Sequence, residues 1–135
     1  MGRAVIALVA GALAAGLIVG GVEAAGARLV PEPPGIFAAV LAGWLLAAAT
    51  GAWIAARVGG AGRWWLGLAV GGLILAAAAY NLSSFPHPIW MTIAGLVGIP
   101  AAAWLGASNG RRGIPARTGL QRRNRPADRR VSLPR

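Results

Sequence analysis

Four apolar runs occupy residues 4–22, 35–56, 64–81 and 89–107, each 18 to 22 residues long. At about 1.5 Å per helical residue, each reaches across most or all of a hydrocarbon core of roughly 30 Å. Asn81, which closes the third run, is the one Lys, Arg, Asp, Glu, His, Asn or Gln residue in any of them. No run carries the polar stripe that a helix on the surface of a soluble protein needs. The pattern therefore predicts an all-α membrane protein: four transmembrane helices in a compact bundle, residues 1–107. Residues 108–135 are polar, rich in Arg, Pro and Gly, and without apolar periodicity. They are expected to form a disordered, Arg-rich cytoplasmic tail.

The first run looks in part like a secretory signal, with Arg3 before it and small residues after it. Its 19 residues exceed the roughly 7–15 of a signal's apolar region. A retained helix is expected, with cleavage near Ala25 as the alternative.

Charge fixes the expected orientation. The chain carries 13 arginines, no lysine, three acids and a net charge of +10. Arg3 precedes the first run, Arg57 and Arg63 lie between the second and third, and nine arginines follow the fourth. The first connection, with Glu23, Arg28 and Glu32, is net negative, and the third has no formal charge. Arginine excess marks the cytoplasmic side, so both termini are expected there, in a bacterial inner membrane. Trp53, Trp64, Trp65 and Trp104 then fall near the inner interface, and Tyr80, Phe85 and Trp90 near the outer one. Trp44 breaks this arrangement. It lies nine residues into the second run, near the midplane, where its indole N–H needs a partner. It is either a packing residue or part of a ligand lining.

All four runs carry small residues at a spacing of four. They are Ala12, Gly16 and Gly20; Gly43, Ala47, Gly51 and Ala55; Gly67 and Gly71; and Ala94, Gly98, Ala102 and Gly106. Such stripes let helix backbones approach in lipid, and a stripe left over would serve self-association. Pro100 removes an amide donor inside the fourth helix and is expected to bend it.

Candidate chemistry is sparse. Glu23 and His87 are expected at the outer ends of the first and fourth helices, at one depth. In a compact bundle those two helices are expected to be neighbours, which brings the two side chains within pairing distance, directly or through water. Pro86 and Pro88 stiffen the segment around His87, and Pro88 suits the first position of a helix. One histidine and two glutamates on separate loops lack the spacing of a metal site, so no metal or other cofactor is expected. No phosphate-binding loop or nucleophile triad is present, and no catalytic residue is assigned. Arg111, Arg112, Arg117, Arg122 and Arg123 are the residues expected to hold anionic lipid headgroups, each gaining up to roughly 1 kcal/mol near a charged leaflet. Nucleic acid is not an expected partner, because no aromatics interleave the arginines for base stacking.

The two halves share strings. GLIVGGV, VPEPPGIF and AWIAAR in the first answer to GLILAAA, FPHPIW and AWLGAS in the second. A parallel duplication would produce this, and so would low complexity. With Glu23, these PEPPG, AWIAAR and FPHPIW strings resemble a family of uncharacterised small bacterial membrane proteins. The resemblance spans residues 3–107 and implies four helices without supplying a reaction. The expected role is structural or accessory, with the bilayer, anionic headgroups, a second copy or another membrane protein as partners. A small oligomeric transporter or channel is the alternative. A membrane enzyme using Glu23 and His87 is a third.

Overall fold

The computed structural model describes residues 1–60 and 62–112. It contains four helices: α1 (Gly2–Leu29), α2 (Gly35–Gly59), α3 (Trp65–Ser84) and α4 (Ile89–Arg112). All four are long and apolar enough to cross a membrane. They run up and down through short connections, so the start of α1, the end of α2, the start of α3 and the end of α4 share one end of the bundle.

All four helices run past the ends of their apolar stretches, α1 and α4 furthest. α1 continues to Leu29 because Ala24, Ala25, Ala27 and Arg28 favour helix, and it stops just before Pro31. Glu23 therefore does not end the helix, as expected, but sits six residues inside it. α4 likewise runs on to Arg112, so residues 108–112 are helix rather than disordered tail. Ser108 is buried there and donates to the Leu105 carbonyl at 3.0 Å. The remainder of the expected tail, with Arg117, Arg122 and Arg123, lies outside the described residues. Pro100 is carried within an unbroken α4 and faces outward.

The bundle is not a square. α2 touches α1, α3 and α4, and α3 touches all the others, but α1 and α4 make no contact. This rhombic arrangement overturns the expectation that α1 and α4 are neighbours. It also breaks the symmetry of a duplication. A twofold relation between hairpins would make α1–α4 the counterpart of α2–α3, and only the latter pair touches.

The centre of the rhombus is α2, which is small on two faces. Gly43, Ala47, Gly51 and Ala55 turn toward α1, while Ala48, Ala52 and Ala56 join the core shared with α3 and α4. A methyl placed on Gly11 of α1 would stand 2.7 Å from the Gly51 carbonyl oxygen, so the two backbones are in direct contact. On the other side, Gly106 of α4 lies against the Ala49 carbonyl closely enough that no side chain fits between them. The α1 stripe is Ala7, Gly11 and Ala15, one step round the helix from the expected Ala12, Gly16 and Gly20. Gly20 is exposed with open space beside it, and Gly16 is exposed beside the gap between α1 and α3.

Packing is inverted relative to a water-soluble protein. The buried set is dominated by Ala and Gly. Val5, Ile6, Val9, Leu13, Leu17, Leu73, Ile93, Leu96, Val97 and Leu105 are all exposed.

Candidate functional site

α1 and α3 meet near one end of the bundle, where Ala7, Ala55, Leu66 and Val70 form a small buried cluster. Toward the other end they leave a gap. Ala12 and Gly16 of α1 and Leu73 and Ala77 of α3 border it and are exposed. Between them lies a half-open cavity of about 370 Å³, floored by Ala15, Ala78 and Trp44. Its lining residues are apolar except for Glu23 and Asn81, with Trp44 also on the wall.

The level of Glu23 follows from its neighbours. Val22 packs on Gly43, and Gly26 on Ala39, so Glu23 lies beside the stretch of α2 that bears Trp44. Its side chain is half-buried in the cavity wall. Asn81 lies on the facing helix, one turn before the end of α3.

Trp44 is 4% exposed and belongs to two neighbourhoods. Its Cε3 and Cζ3 atoms lie 3.7 and 3.6 Å from where a Cβ on Gly95 of α4 would stand. The N–H is on the opposite edge of the indole. No buried polar side-chain atom lacks a partner among the described residues. The N–H, which meets no acceptor among the described residues, is therefore not sealed off.

His87 sits on the α4 side of this indole. Its ring is 6.5 Å from that of Trp44 and meets Phe37 edge-on at 5.9 Å, centroid to centroid. Nδ1 is 2.8 Å from the Phe85 carbonyl oxygen. A carbonyl only accepts, so Nδ1 carries the proton and donates. His87 thus closes one end of the α2–α4 seam. It does not pair with Glu23: α1 and α4 are apart, and Trp44 is the side chain shared between the two regions. Asn81 is the lining residue that sequence reasoning did not single out. Its signal was present, as the one polar side chain inside an apolar run.

The opposite end of the bundle is basic. Arg3 donates from Nε to the Val58 carbonyl at 2.8 Å. Arg57 lies 5.5 Å from the Trp53 ring centroid and Arg111 5.4 Å from that of Trp64. Arg63 and Arg112 are exposed at the same end. Among the described residues no group of three His, Cys, Asp or Glu side chains is placed to hold a metal.

No family model, curated protein or solved structure matches the chain.

Proposed function

We propose that the chain is an integral protein of a bacterial inner membrane, crossing it four times with both termini in the cytoplasm, and that its role there is accessory. It docks against a membrane partner or a second copy, while its basic end holds anionic headgroups. The inverted packing carries this reading. A core of Ala and Gly beneath a surface of Leu, Val and Ile makes sense where the surrounding solvent is as apolar as the surface, because close backbone contact then drives assembly. The basic end supports the orientation. Aromatic rings under Arg57 and Arg111 suit the interface, where amphipathic rings settle. Cross-linking in native membranes, followed by mass spectrometry, tests the role. A defined dimer or hetero-complex through the helices is expected, and a chain that cross-links to nothing would overturn it.

A second reading, a small oligomeric transporter or channel, draws on the position of Glu23. α2 runs for 25 residues, about 37 Å, so a hydrocarbon layer of roughly 30 Å centred on it encloses Trp44 and the level of Glu23. An ionisable residue at that depth is a feature of transport pathways. Flux assays in liposomes separate the readings, since the accessory role predicts no flux. An acid–base pair of Glu23 and His87 draws no support from the geometry.

A further inference from the structure

The cavity between α1, α2 and α3 has the chemistry of a ligand site. Its volume of about 370 Å³ falls in the lower part of the usual range for small-molecule pockets, about 300–1,000 Å³. Its wall is apolar, with polar residues from two facing helices, Glu23 on α1 and Asn81 on α3, and the Trp44 indole of α2 behind them. The half-buried Glu23 carboxylate borders the cavity, and a positive charge there would complement it. The Asn81 amide can accept from, or donate to, the same head group. Wide apolar walls of Ala12, Ala15, Val19, Ile74 and Ala77 suit a hydrocarbon body and would not hold a hydrated inorganic ion.

We propose that this cavity binds a singly charged organic cation, an ammonium head beside Glu23 and Trp44 with an apolar body against α1 and α3, entering through the gap bordered by Ala12, Gly16, Leu73 and Ala77. This goes beyond the accessory role and rests on the membrane reading only for the direction of entry. Binding and topology can therefore fail separately.

Gly16 provides a selective block. It lines the cavity, and a Cβ added there meets nothing within 4 Å, so Gly16→Leu is a variant whose side chain starts in open space at the cavity border. Ala12→Leu, on the same border, is a second filling variant. Glu32→Gln, in the α1–α2 connection, removes an acid of the same type away from the cavity lining. The test is equilibrium dialysis of radiolabelled benzyltrimethylammonium against the full chain in phosphatidylcholine nanodiscs, with empty nanodiscs as baseline. Saturable binding of one cation per chain is expected. Glu23→Gln and both filling variants should weaken it at least tenfold, with thermal unfolding confirming that each variant is folded. Glu32→Gln should leave it unchanged. Three results overturn the proposal: no saturable binding to the unmodified chain; binding that survives Glu23→Gln and a folded filling variant; or equal loss in Glu32→Gln. Native mass spectrometry reads the remaining occupant. A retained phospholipid in place of any cation assigns the cavity to an acyl chain and overturns the proposal as well.

Discussion

The imidazole of His87 rests against the indole of Trp44, with ring centroids 6.5 Å apart, and not beside the carboxylate of Glu23. Aromatic contacts of this kind contribute roughly 0.5–1.5 kcal/mol beyond area burial. His87→Gln and Trp44→Leu are therefore expected to couple by about that amount in a double-mutant cycle read by thermal unfolding in detergent. Glu23→Gln and His87→Gln should instead add to within about 0.5 kcal/mol. Stronger coupling in the second pair than in the first would contradict the placement of α1 and α4 on opposite sides of the bundle.

Two glycines should behave in opposite ways. Gly106 touches the Ala49 backbone, so Gly106→Ala forces α2 and α4 apart and should cost about 1–3 kcal/mol, the usual range for overpacking. Gly72 of α3 is exposed with nothing within 4 Å of an added methyl. There Gly72→Ala should be neutral or stabilising by up to about 1 kcal/mol, through helix propensity alone. Unfolding midpoints of the two variants check this, and equal effects would refute the close α2–α4 approach.

Arg3 ties the start of α1 to the turn after α2, through Val58 and across the Gly60 backbone, 3.3 Å from a Cβ built there. Gly60 has φ +86°, a conformation that favours glycine, which keeps that approach open. Arg3→Ala should speed amide hydrogen exchange at the end of α2 and the start of α1 while leaving the Glu23–Trp44 end unaffected. Uniform change across the chain, or none, would argue against a local clamp.

The helices were legible because apolar length is a strong signal, and their count and order follow from it. The end of α1 was not. Glu23 and Arg28 interrupt hydropathy, whereas the helix is governed by the propensity of Ala24, Ala25 and Ala27 and ends only where Pro31 approaches. The buried face of α1 was illegible for another reason. Ala7, Gly11 and Ala15 make as good a small-residue stripe as Ala12, Gly16 and Gly20, and only the complete bundle selects one of them. The rhombic arrangement depends on α2 being small on two faces, which reads in sequence simply as abundant alanine. Trp44 was flagged by its depth and Glu23 by its charge. Their shared cavity required α1 to extend past Glu23 and the α1–α3 face to stay open beside it. Neither event leaves a mark in one helix alone.

The central claim is a four-span chain with its basic end inside the cell, and the absence of cysteine makes it directly testable. Single cysteines at Val30, Ser83, Ala61 and Arg135 are to be labelled in intact cells with a membrane-impermeant maleimide, then again after permeabilisation. Val30→Cys and Ser83→Cys should label in intact cells. Ala61→Cys and Arg135→Cys should label only after permeabilisation. Labelling of Ala61→Cys from outside, or protection of Val30→Cys, would contradict the account.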